Sequence, residues 1–125
     1  MRERYVKSLL AIFKGVREVL DVFTKKRIEK ILENYIDKKI PEHLRNDIQI
    51  HYKFRGNTVT LSQERPGYMG RRFEYPIAQL RLEESYWKVY WQDSKNKWHF
   101  VDDIKPEKDF EKQLKEIDGN SIFWV

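Results

Sequence analysis

Apolar residues recur every three or four positions at the start of the chain. Tyr5, Leu9, Phe13, Val16, Leu20 and Phe23 follow that spacing, which lines one face of an α-helix over residues 3–23. Gly15 interrupts it at a cost of about 1 kcal/mol relative to alanine. Thr24 is a good N-cap for a second helix, and Phe23 and Ile28 are placed to clip together across it. Ile28, Ile31, Leu32, Tyr35 and Ile36 form the second stripe. Pro41 ends it, because the residue before a proline avoids helical torsions. Both stripes read first as core-facing surfaces.

After Asp47 the period drops to two. Ile48, Ile50, Tyr52 and Phe54 alternate with Gln49, His51 and Lys53, the pattern of a half-buried strand. Gly56-Asn57 is a two-residue hairpin turn, and Val59 and Leu61 lie on the returning strand. Pro66 and Gly67 stop that strand at a wide loop carrying Arg65, Arg71 and Arg72. A third strand runs from about Tyr75 to Glu83 with Ala78, Leu80 and Leu82 inward. Glu84-Ser85 turns the chain into a fourth strand. Its Trp87, Val89 and Trp91 share one face, and Tyr86, Lys88 and Tyr90 share the other. Beyond the polar turn 93–96, a fifth strand is expected to place Trp98 and Phe100 inward and Lys97 and His99 outward. Pro106 suits the first position of a last helix with Phe110, Leu114 and Ile117 inward, and Gly119 stops it. The tail 121–125 is too apolar for water and is expected to dock.

The fold class these elements predict is α+β: two N-terminal helices, a five-stranded antiparallel meander sheet and one C-terminal helix, in a single domain over 1–125. Short connections between successive strands make the sheet antiparallel. Aromatic residues supply 14% of the chain, enough bulk for a core despite 36% charged residues. The absence of cysteine excludes disulfides and thiolate metal sites. No apolar run nears the ~20 residues of a membrane span, and the N-terminus lacks the features of a secretory signal. The expected setting is therefore cytoplasmic, away from membranes. The formal net charge is +5. The excess lies in residues 1–40, which hold eleven basic and six acidic side chains. Such a balance permits polyanion binding without requiring it.

The second half of the chain also carries a family pattern. Ile40-Pro41-Glu42-His43-Leu44-Arg45 is followed by Phe54-Arg55-Gly56-Asn57-Thr58-Val59-Thr60-Leu61. Glu64-Arg65-Pro66, Pro76-Ile77-Ala78, Tyr90-Trp91-Gln92-Asp93, Lys97-Trp98-His99 and Phe123-Trp124 complete it. Over roughly residues 24–125 the chain resembles an uncharacterised bacterial family catalogued as domain of unknown function 3024. That resemblance implies one domain and brings no activity with it.

Chemistry is concentrated on the outward sheet face. The alternation puts His51, Lys53, Gln79, Arg81, Tyr86, Lys88, Tyr90, Lys97 and His99 there, with Arg65, Arg71 and Arg72 extending the track through the loop. Rings beside cations on an open sheet stack bases and neutralise phosphates. The nucleic-acid-binding set is thus Lys53, Arg65, Arg71, Arg72, Arg81, Tyr86, Lys88, Tyr90, Lys97 and His99. The competing reading is a solvated face, or one covered by the N-terminal helices. Trp87, Trp91, Trp98 and Trp124 read as core. A second function class is a protein-interaction module or homodimer joined through the N-terminal helices. A third is a metal-dependent hydrolase or nuclease, which needs His51 and His99 to meet beside a carboxylate. No catalytic motif, resident metal or cofactor is otherwise indicated.

Overall fold

A computed structural model describes residues 20–124. Helix α1, Val22–Lys39, precedes a short 3-10 turn at Glu42–Leu44. Five strands follow: β1 Gln49–Arg55, β2 Thr58–Pro66, β3 Arg72–Glu83, β4 Tyr86–Gln92 and β5 Trp98–Phe100. Helix α2, Phe110–Asp118, and a 3-10 turn at Ser121–Phe123 close the described chain. The strands form one antiparallel sheet in the order β1-β2-β3-β4-β5, the expected meander.

The pair of N-terminal helices is corrected to one helix among the described residues. Most of the helix expected at 3–23 lies outside them. The break expected at Thr24 does not occur, because Asp21 is the cap. Its carboxylate accepts the Thr24 backbone N–H at 2.7 Å and the Thr24 hydroxyl at 3.1 Å. Those bonds hold the Asp21 carboxyl below its ordinary range. The helix therefore starts at Val22, and Phe23 sits in its first turn, 82% exposed while Ile28 is buried in the core. At the other end, Ile40 leaves helical torsions just before Pro41, as that proline dictates.

Both helices lie on one face of the sheet. Val59, Leu61, Ala78, Leu80, Trp87 and Val89 point to that inner face. They meet Ile28 and Leu32 of α1 and Phe110, Leu114 and Ile117 of α2 in one cluster. Trp87 packs edge-on against Phe110 at 5.0 Å between centroids. Asp118 fastens the two helices, accepting from Tyr35 Oη at 2.7 Å and Lys39 Nζ at 2.9 Å. The tail docks as expected: Phe123 is buried, and Trp124 Nε1 donates to the Ile117 carbonyl.

Helix α2 starts at Phe110 under an Asp109 cap, not at Pro106. Glu107 is already used: its N–H and C=O pair with the C=O and N–H of Trp87, extending the ladder on the far side of β4. Strand β3 is longer than expected, and with β2 it projects as a hairpin ending at Tyr68–Gly70. A β-bulge between Leu61 and Ser62 of β2 and their partners on β3 leaves Ile77 extra, next to Pro76. β4 pairs only with residues 79–83 of β3. Pro76 therefore stands at a bulge beside an open flank, where its missing N–H breaks no bond.

Candidate nucleic-acid interface

Strand pairing sets which side chains share the outer face. Arg55, Thr58, Arg81 and Lys88 are successive cross-strand partners and form one row over four strands. Lys53, Thr60, Gln79, Tyr90 and Phe100 form the neighbouring row over all five. Directly opposed side chains stand about 5 Å apart. Tyr86 and Glu83 flank the first row, while Gln92 and Trp98 flank the far end of the second. Both described helices are on the opposite face.

The rows are held together by their own polar chemistry. The Arg81 Nε–H donates to Gln79 Oε1 at 2.8 Å, and Gln79 Nε2 donates to Thr60 Oγ1 at 2.9 Å. The Arg81 guanidinium lies 3.9 Å from the centre of the Tyr90 ring, within cation–π range. Tyr90 also meets Phe100 edge-on at 5.7 Å. Lys88 Nζ is 3.2 Å from Glu83 Oε1, and Lys108 stands 5.5 Å over the Tyr86 ring. Neither row contains a carboxylate. Glu64 and Glu74 lie at the other end of the face, engaged by His51 and Ser62 at 3.0 and 2.6 Å. The His51 contact, with Arg72 beside it, keeps the Glu64 carboxyl below its ordinary range.

Five of the ten expected residues, Lys53, Arg81, Tyr86, Lys88 and Tyr90, therefore stand on or beside these rows. The other five are elsewhere. Arg65 belongs to the inner side of the projecting hairpin, bonded to Gln63 and 5.8 Å from the Tyr75 ring. Arg71 is exposed at the base of the hairpin tip. Arg72 is tied down by the carbonyls of Asn46, Asp47 and Glu64 and by the Glu64 carboxylate. Lys97 sits in the β4–β5 turn, where its N–H donates to Asp93.

His99 is on the inner face. It pairs with Trp91 across the ladder, the rings 5.1 Å apart, and its Nε2 is 2.6 Å from Asp93 Oδ2. That contact and the backbone N–H groups of Lys97 and Lys95 lower the Asp93 carboxyl to about 2.

The inversion of His99 reverses all of β5. Trp98 opposes Gln92 and Phe100 opposes Tyr90, so both aromatics face outward. Phe100 is exposed and Trp98 half-buried. Of the other indoles, Trp87 is buried, and Trp91 and Trp124 pack against the core. The site thus gains Phe100, Trp98 and Arg55, which the sequence reading did not place there. Loop length held the missing signal: the turn between Gln92 and Trp98 makes them partners, and partners share a face.

The same geometry removes the version of the metal-dependent hydrolase that joins His51 and His99. His51 and His99 occupy opposite edge strands and opposite faces. Four strand spacings of about 4.8 Å separate them by roughly 19 Å. Among the described residues no group of three histidine or acidic side chains could hold a metal ion. No described helix is long and apolar enough to cross a membrane.

Fold and face together define a small α+β domain with one helix-covered sheet face and a second face that no described helix covers. The family comparison is specific: a model described as "Domain of unknown function (DUF3024)" matches residues 20–125, and the chain belongs to that family. No curated protein and no solved structure matches it.

Proposed function

We propose that this domain binds single-stranded nucleic acid on the outer face of its sheet. The supporting observation is the pair of adjacent rows, which places Lys53, Arg55, Arg81 and Lys88 beside Tyr90 and Phe100 with no carboxylate in either row, Glu83 flanking them beside Lys88. Cations there neutralise phosphates, and the Phe100 and Trp98 rings offer π-faces to unstacked bases. Stacking of that kind contributes about 1–3 kcal/mol per base and tolerates any sequence. An open sheet suits splayed bases better than a closed duplex. Cytoplasmic placement belongs to the same proposal.

Fluorescence anisotropy with labelled single-stranded oligonucleotides across a salt series tests this reading. Three neutralised phosphates, at about 0.7 each, give a slope near −2 for log affinity against log salt. Lys53 and Arg55 make no ion pair among the described residues. Their joint reversal, Lys53→Glu with Arg55→Glu, should therefore keep the fold while flattening the slope and weakening binding. Absence of binding to every DNA and RNA strand at low salt would overturn the proposal.

A further inference from the structure

Strand β5 carries Trp98 and Phe100, yet it is three residues long and forms one edge of the sheet. Its far end is anchored in the core: Val101 is buried, and its N–H donates to the Val89 carbonyl. Its near end has no such anchor. Trp98 is half-buried, and residues 94–97 and His99 are exposed. Bonds to Asp93 hold that end instead. Asp93 Oδ1 accepts the backbone N–H groups of Lys95 at 2.8 Å and Lys97 at 2.9 Å. Asp93 Oδ2 accepts from His99 Nε2 at 2.6 Å. An ionised carboxylate only accepts, so that ring nitrogen carries the proton. The same imidazole lies against the Trp91 ring, 5.1 Å between centroids. One carboxylate thus fastens the turn and, through His99, the strand behind it. With His99 held inward, its neighbours Trp98 and Phe100 must point outward.

We propose that Asp93 and His99 form a clasp that holds Trp98 and Phe100 as a stacking platform for two successive unstacked bases. This inference rests on the nucleic-acid reading of the outer face and adds to it the residues that position the rings. Trp98 and Phe100 are two residues apart on one strand, so their side chains leave the sheet about 6.8 Å apart. Neighbouring bases of a stacked strand are only about 3.4 Å apart. The two rings therefore suit a strand whose bases have separated and fit a duplex poorly. His99 is on the inner face and Asp93 in the turn, so both are positioning residues. The cations Lys53, Arg55, Arg81 and Lys88 belong to β1, β3 and β4 and are placed without them.

Quenching of tryptophan emission by unlabelled single-stranded oligonucleotides, read beside anisotropy across the salt series, tests the clasp. Trp98→Phe identifies the share of the quenching that comes from the outer face. His99→Phe keeps a ring against Trp91 and removes the bond to Asp93, whereas Asp93→Ala removes all three bonds. Both should weaken binding about 10-fold, in the range of one stacked base. Both should also abolish the Trp98 quenching and leave the salt slope of the parent unchanged. Asp93→Asn should behave as the parent, because its amide oxygen accepts the backbone N–H groups and its amide nitrogen donates to the ring. Should Asp93→Ala fail to fold, His99→Phe and Asp93→Asn decide; His99 lies outside the core cluster. Clasp variants that bind and quench as the parent would overturn the clasp and leave the reading of the face standing. So would an Asp93→Asn variant that loses the quenching, or a salt slope lost together with it. A duplex that quenches Trp98 as strongly as a single strand would overturn the two-base platform. A parent chain that binds no strand at low salt would overturn the reading of the face and the clasp with it.

Discussion

Glu84 and Ser85 hold positive φ angles of 52° and 71°. A two-residue turn between β3 and β4 requires the left-handed region at both positions when it takes the I′ form. Residues with a Cβ adopt that region at a cost of roughly 1–2 kcal/mol each. At the β1–β2 turn the corresponding strain is absent, since Gly56 carries the positive φ of 58°. Ser85→Gly should therefore stabilise the domain by about 0.5–1 kcal/mol after the extra entropy of unfolded glycine is subtracted, read as a shift in the denaturant midpoint at constant slope. Asp93 is the other residue with a distinct effect. Its ordinary value of 3.8 falls to about 2 in the folded state, so below 3.8 the unfolded chain binds more protons. Stability from the β4–β5 turn is complete above about 4 and is lost as the pH falls toward 2. Thermal unfolding across that window should show a steeper acid loss in the parent than in Asp93→Asn.

Among the elements, α2 is held by one buried amide. Gln113 is fully buried, and its Nε2 donates to the carbonyls of Trp87 at 2.8 Å and Lys105 at 2.9 Å. That amide joins the helix to β4 and to the segment that ends at the Glu107 bridge. Gln113→Glu turns the carboxylate toward two carbonyls. It should destabilise the domain by about 3 kcal/mol at neutral pH. Acidification should recover part of the loss in calorimetry, because the neutral acid can donate one of the two bonds.

The element order of the sheet was legible in the sequence because inward apolar and outward polar residues alternate in β1, in β2 as far as Ser62, and from Ala78 to Trp91. The parity of β5 was not: Trp98 and Phe100 satisfy an inward reading equally well, and only the register imposed by the preceding turn decides it. The helix start was obscured in the same way. Asp21 and Thr24 are both capping residues three positions apart, and the choice rests on which side chain receives the N–H. The Glu107 bridge, which delays α2, leaves no periodic trace in three residues. Of the candidate site, Lys53, Arg81, Tyr86, Lys88 and Tyr90 were readable from strands whose phase was right. Arg65, Arg71 and Arg72 were misplaced because a tight projecting hairpin was read as a loose loop.

In the whole molecule, two surfaces divide the roles between them. The inner face is closed by α1, α2 and the docked tail, and the Asp118 contacts with Tyr35 and Lys39 tie the early and late parts of the described chain together. On the outer face, Lys53, Arg55 and Phe100 are exposed and Arg81, Lys88, Tyr90 and Trp98 half-buried. On it, Lys53 and Arg55 belong to the edge strand β1, at the end of the two rows farthest from β5. On the proposed reading, charge reversal at Lys53 and Arg55 should reduce oligonucleotide affinity in the anisotropy titration.

Pro76 bears on how the flank of the sheet opposite β1 would meet a foreign strand. Growth there would need a long edge with an unbroken row of donors. The near half of β3 interrupts its donors at Pro76, and β5 spans three residues with Trp87 beyond it already taken by Glu107. An arriving strand finds no continuous template on that side. The sheet is thereby guarded on that side against edge-to-edge growth.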